Sequence, residues 1–199
     1  MIASLNYAIG GVNYKAALLN HLIAKLIGQR SGLSTIDIGG GTGVVSAELL
    51  LGTPAVDHAI NAEPQTSNAL LGQYISHRFP QRMAGRFGIA SATAEVMAYD
   101  RAHDVVSFLG SLLYVPRAHT KSVLRNAWER LKPGGLLVIH ENIKRPSYVQ
   151  DYNYMFTVAE LEEYLAEFGK PTYWLSTGTV QIDPAKVEEK SVFRVLQKA

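Results

Sequence analysis

Cysteine is missing from all 199 residues, which excludes disulfides, thiolate metal sites, cysteine nucleophiles and thiol redox chemistry together. That absence fits a cytoplasmic location. No stretch approaches the roughly 18 uninterrupted apolar residues of a membrane-spanning helix. The first thirty residues lack a basic stretch leading into a long apolar run and a small-residue cleavage site, so they read as part of the fold. An excess of charge of one sign is also missing. The 19 basic residues are scattered among 17 acidic ones for a net charge of +2, and the dense stretch Lys186 to Lys190 mixes both signs. A nucleic-acid groove gathers basic charge on one face, so nucleic acid is not the expected partner.

What remains is ordinary for a packed globular protein, with 47% hydrophobic and 18% charged residues in a chain long enough for one sizeable core. Strands and helices alternate along it. Val12, Ala16, Leu19, Leu22, Ile23 and Leu26 follow helical spacing and predict an opening helix that ends near Gly28. A short β-branched strand, 34–38, then runs into glycines. The pattern continues as helix 44–51, strand 56–62, helix 65–78, a weaker strand 87–91, strand 104–108 and helix 118–131. Lys132-Pro133-Gly134-Gly135 forms a turn before the nearly all-apolar strand 136–140, a pattern that suits a parallel sheet covered on both faces. Thr157 with Glu160 three positions on predicts a capped amphipathic helix over 158–168. The segments 171–180 and 191–197 read as an antiparallel strand pair at the sheet edge. The fold class is therefore α/β: a doubly wound, mostly parallel sheet of about seven strands with a C-terminal antiparallel pair. Residues 1–32 are expected to form a helical lid or cap packed on a domain spanning 33–199.

The sharpest signal is Asp37-Ile38-Gly39-Gly40-Gly41-Thr42-Gly43, directly after the first strand. Glycines there adopt positive φ and let a ligand approach the backbone. The spacing decides among ligands. A dinucleotide turn wants Gly-x-Gly-x-x-Gly, and Val44 stands where the third glycine of a motif starting at Gly39 would be. A phosphate loop ends in Gly-Lys-Ser or Gly-Lys-Thr, and no lysine occurs between Lys25 and Lys121. Both readings fit poorly.

Asp37 to Gly43 instead resembles the acid-x-Gly-x-Gly-x-Gly motif of the class I S-adenosylmethionine-dependent methyltransferases, which have a Rossmann-like fold. Other features follow in that family's order: Asn61-Ala62-Glu63-Pro64 after the second strand, Ser91-Ala92-Thr93-Ala94-Glu95 after the third, His103-Asp104-Val105-Val106-Ser107-Phe108 at the fourth, and Leu131-Lys132-Pro133-Gly134-Gly135-Leu136 before the fifth. The resemblance covers residues 33–142 closely. It implies transfer of a methyl group from S-adenosylmethionine, leaving S-adenosylhomocysteine, to an oxygen or nitrogen of a small molecule. The alternatives are a nucleic-acid or protein methyltransferase, or a non-enzymatic cofactor-binding module of the same fold.

The resemblance also implies site residues. Glu63 would accept hydrogen bonds from both ribose hydroxyls, against the alternative of a solvated loop acid. Gly39, Gly40, Gly41 and Gly43 would line the cofactor, and Asp37 would orient their loop, hold the cofactor's ammonium group, or act only as a local cap. Thr93 stands where the family often has an acid beside adenine, with Ala94 next to it. Phe108 and Leu109 would pack against adenine or the sulfonium, or else serve the core. His140, with Glu141, is the candidate acid–base pair, although adjacent strand residues point to opposite faces; a structural histidine is the alternative. Tyr7, Tyr14, Ser111 and Tyr152 would shape the acceptor pocket, the tyrosines favouring flat or cationic molecules. The acids that catechol-type enzymes use to hold metal after the fourth strand are missing, so no catalytic metal is predicted. A monomer or a homodimer fits equally.

Overall fold

The computed structural model describes residues 14–144, 155–180 and 187–199. It opens in helix α1 (14–22), which passes into a π-helical turn, Ile23–Ile27, and stops at Gly28 with φ of 77°. Strands β1 (Leu33–Ile38), β2 (Val56–Ala62), β3 (Phe87–Ala90), β4 (His103–Leu109), β5 (Leu131–Asn142), β6 (Tyr173–Val180) and β7 (Val187–Gln197) alternate with α2 (Val44–Gly52), α3 (Thr66–Arg78), α4 (Pro80–Met83), α5 (Arg117–Glu129) and α6 (Val158–Leu165). One sheet runs β3-β2-β1-β4-β5-β7-β6. β1 pairs in parallel with β2 on one side and β4 on the other, while β7 is antiparallel to both β5 and β6. Strand order therefore reverses at β1 and β4, and the α/β doubly wound class holds.

Alternation along the strands assigns side chains to two faces. Ile36, Val106, Leu137, Ile139 and Leu196 face a core shared with Val123, Leu124 and Ala127 of α5 and Leu161 and Leu165 of α6. Leu33, Val105, Leu136, Val138 and Val195 face the opposite core, where they meet Leu19, Leu22, Ile23 and Ile27 from the opening helix and Val45, Leu49 and Leu50 of α2. Each such side chain, taken fully out of water, contributes about 1.5–3 kcal/mol. The opening helix packs against one face of the common sheet through Leu19, Leu22, Ile23 and Ile27, and Gln197 on β7 donates to the Leu26 carbonyl at 3.1 Å.

Elements differ from the sequence reading at several places, β7 beginning four residues earlier than expected among them. β5 starts at Leu131, which pairs with His103, before the chain loops out through 132–135 and rejoins β4 with Leu136 opposite Val105. Gly134 takes φ of 72° in that excursion, a conformation a side chain disfavours. The short helix α4 has Pro80 in its first turn, where a missing N–H costs nothing. The predicted helix 158–168 divides into α6 and a 3-10 turn, Ala166–Phe168. Among the described residues, no helix is long and apolar enough to cross a membrane.

Candidate functional site

A cavity of about 810 Å³ lies beyond the carboxyl ends of the parallel strands, where order reverses. Asp37, Gly39, Gly40, Gly41, Glu63, Thr93, Ala94, Phe108, Leu109 and Ser111 line it. These come from β1 and its glycine turn, from the ends of β2 and β4, and from the loop after β3, so distant sequence segments converge on one space.

The glycine turn is held from both sides. Glu63, 7% exposed at the end of β2, accepts the Gly41 N–H through Oε2 at 2.9 Å and the Gln65 N–H through Oε1 at 2.9 Å. Each carboxylate oxygen has a second lone pair and so can accept another hydrogen bond. Asn61 donates from Nδ2 to the Gly41 carbonyl at 3.0 Å, while its Oδ1 is buried with no protein partner. Gly40 passes so close to the Asn61 and Asp37 side chains that a Cβ there would collide with both; Gly41 has φ of 58° and open space where a side chain would project.

Asp37 closes the floor. Its Oδ1 accepts from Ser107 Oγ on β4 at 2.8 Å, and burial pushes its carboxyl up to about 6, against the pull of Ser107 and Lys15. Ser111 donates through Oγ to the Ile38 carbonyl, tying the loop after β4 to the glycine turn.

His140 and Glu141 sit behind the cavity wall and do not line it. His140 shares a 2.9 Å hydrogen bond between Nε2 and the Tyr14 hydroxyl and lies against the Phe193 ring. Its Nδ1 is buried without a partner, and burial followed by the Lys15 charge lowers its pKa to about 4. Imidazole in that setting is neutral but occupied on the side it shares with Tyr14. Glu141 is fully buried, and its Oε1 accepts the Ser111 N–H at 3.0 Å and the Leu112 N–H at 2.7 Å. It therefore shapes the loop that carries Ser111 instead of reaching the cavity. The sequence-level caution holds: the two neighbours engage different partners, His140 with Tyr14 and Phe193, and Glu141 with the loop.

Gly43 also stays out of the lining; with φ of 76°, it starts α2 beside Asn61 and Phe87. Tyr14 is 43% exposed and contributes its hydroxyl to His140, not to the cavity. Tyr7 and Tyr152 lie outside the described residues.

The structure adds lining residues that the motifs did not flag: Lys15 from α1, Gln65 and Asn68 around the start of α3, and Tyr114 and Val115 after β4. A signal for Lys15 did exist. It stands four residues before Leu19 and seven before Leu22, so it belongs to the apolar stripe of the opening helix.

The sequence model of the methyltransferase domain matches residues 12–169. Solved structures with similar folds include the [4+2]-cyclase SpnF, with a TM-score of 0.71 at 15% identity over 90% of this chain and 79% of that one. The N-methyltransferase NodS from Bradyrhizobium japonicum WM9 gives 0.69 at 13% identity over 94% and 95%. Magnesium protoporphyrin IX methyltransferase (ChlM) from Synechocystis PCC 6803, with bound S-adenosylhomocysteine, gives 0.70 at 12% identity over 94% and 83%. These identities carry the fold alone. No curated protein matches. The family match spans most of the chain, including the glycine turn, both carboxylates and the cavity they border, and the chain belongs to the class I S-adenosylmethionine-dependent methyltransferases.

Proposed function

We propose that this enzyme methylates an oxygen or nitrogen of a small molecule, with its cofactor's ribose held by Glu63 and its methionine portion lying over Gly39, Gly40 and Gly41. The observation that carries this reading is the Glu63–Gly41 junction, a buried carboxylate beside an open backbone at the cavity rim. A vicinal diol supplies two donors, and the carboxylate retains acceptor capacity for both. Thr93 and Ala94 lie on the same cavity for the adenine, and Ser111 and Tyr114 remain for the acceptor.

S-adenosylmethionine supplies an electrophilic methyl on a positively charged sulfur. The chain's own residues align the acceptor and exclude water. His140 is held by Tyr14 behind the wall, which favours an acceptor that arrives nucleophilic: a neutral amine, or an oxygen already ionised. The size of the cavity falls in the range of small-molecule sites, roughly 300–1,000 Å³. His140 and Glu141 then support the site by holding α1 and the loop after β4.

Calorimetric titration with S-adenosylhomocysteine tests the cofactor assignment. Wild-type protein binds it, and Glu63→Ala loses about tenfold to a hundredfold in affinity, as expected for removal of charged hydrogen bonds of about 1.5–3 kcal/mol. Equal affinity in a folded Glu63→Ala protein would remove Glu63 from the site.

A further inference from the structure

We infer that the methyl acceptor is a phenol, bound as its anion, with the Lys15 ammonium as the counter-cation at the reacting oxygen. The inference rests on the small-molecule reading above and narrows its acceptor atom from oxygen or nitrogen to oxygen.

Lys15 is buried, with 7% exposure, yet borders the cavity. Its Nζ donates to the Leu109 carbonyl at the end of β4 at 2.7 Å, and a Cβ at Gly110 would lie 3.7 Å from it. The ammonium therefore stands where the chain leaves β4 for Ser111 and Tyr114, the side of the cavity left to the acceptor. Tyr114, 64% exposed, brings an aromatic ring to the same space.

A cation in that position discriminates among acceptor atoms. A neutral amine gains positive charge as it takes the methyl, and the ammonium opposes that gain. A hydroxyl must first lose its proton, and the ammonium favours the anion so formed. An opposite charge in close contact shifts an ionisation by about 1–3 pKa units. That brings a phenol, at roughly 10 as in tyrosine, toward neutral pH, whereas an aliphatic alcohol stays protonated. A carboxylate needs no such help, and its two oxygens suit an arginine fork better than the point charge of a lysine.

The surrounding groups leave the positive charge available. Burial pushes Glu141 up to about 8, so it is mostly protonated at neutral pH, and lowers His140, which holds Tyr14, to about 4, so it is uncharged. Asp37 on β1 is bonded to Ser107 and sustains the Lys15 charge against burial. An anion at the ammonium adds to that support. In the transfer, the phenol proton leaves to solvent and an oxygen lone pair forms the bond to the methyl carbon. The electrons of the sulfur–methyl bond stay on sulfur, and Lys15 ends unchanged.

4-Nitrophenol, whose anion is coloured, tests this on protein saturated with S-adenosylhomocysteine. Wild type is expected to lower the apparent pKa of the bound probe by about one unit or more. Lys15→Met loses that shift, Lys15→Arg keeps most of it, and both bind S-adenosylhomocysteine within about twofold of wild type. Lys15→Gln, which keeps a donor for the Leu109 carbonyl without the charge, replaces the Met variant if that does not fold. A probe that binds unshifted or not at all, a shift that survives in Lys15→Met, or tighter binding of benzylamine or benzoate than of 4-nitrophenol overturns the inference. So does a loss of about tenfold in S-adenosylhomocysteine affinity for Lys15→Met, which would put the ammonium on the cofactor. Wild-type protein that does not bind S-adenosylhomocysteine overturns the cofactor assignment itself, so the two failures are distinguishable.

Discussion

The carboxyl of Glu141 is pushed up to about 8 from the ordinary 4.5, mainly by burial, despite backbone N–H groups of the Ser111 loop and Lys15 drawing it down. The folded state consequently keeps a proton that the unfolded chain releases near pH 4.5. Unfolding sheds that proton between about pH 4.5 and 8, so this group's contribution to stability falls as pH rises through that window. Two buried histidines work in the opposite sense: His103 and His140, each lowered to about 4, withdraw stability as pH falls below 6.5. A difference curve isolates the carboxyl. Glu141→Gln keeps an acceptor for Ser111 and Leu112 and removes the titration. In thermal melts between about pH 5 and 9, the melting temperature of wild type relative to Glu141→Gln is expected to decline with rising pH. A flat difference would show that Glu141 is ionised throughout. At this scale the sequence revealed residues whose chemistry lies in local order. Glu63 follows a strand and the glycines follow another, so their meeting at the cavity could be anticipated. Lys15 lies far along the chain from Leu109 and Asp37, and only tertiary packing brings them together. His140 was correctly placed on β5, but the Tyr14 hydroxyl that holds it comes from a separate helix.

Local chemistry settles the start of α6. Thr157 accepts the Glu160 N–H, and Glu160 in turn accepts the Thr157 N–H at 2.7 Å, forming a reciprocal cap. Both residues are adjacent in sequence to the apolar positions they serve, which is why the motif could be read in advance. Leu161 and Leu165 project from this helix into the core. Thr157→Ala leaves the Glu160 N–H without its side-chain partner and is expected to cost about 1 kcal/mol, a fall of roughly 2–4 °C in melting temperature for a chain of this size. An unchanged melting temperature would show that the cap contributes nothing measurable. β5 illustrates the reverse situation. Its apolar run predicted the central part, but the pairing of Leu131 with His103 depends on a neighbouring strand. The turn residues around Gly134 announce an interruption without saying that the strand resumes on both sides. α4 was unforeseen for a related reason: four residues provide too little periodicity to distinguish a helical turn from a loop.

Across the whole molecule, parallel strands bring their carboxyl ends to one edge, and the reversal between β1 and β4 opens the space into which Asp37, Glu63 and Ser111 converge. Helices on opposite faces keep that sheet dry and fix the strand ends relative to one another. The alternating sequence pattern made this architecture legible, because buried parallel strands must be almost continuously apolar. The depth at which the opening helix joins the core was not, since periodicity defines an apolar face but not the surface it covers. The role proposed for this arrangement is to hold a nucleoside by its sugar. A crystal structure with S-adenosylhomocysteine bound measures it most directly: both ribose hydroxyls are predicted within hydrogen-bond distance of the Glu63 carboxylate, with adenine beside Thr93 and Ala94. A nucleoside bound elsewhere, with Glu63 touching only the Gly41 and Gln65 backbone, would contradict the account.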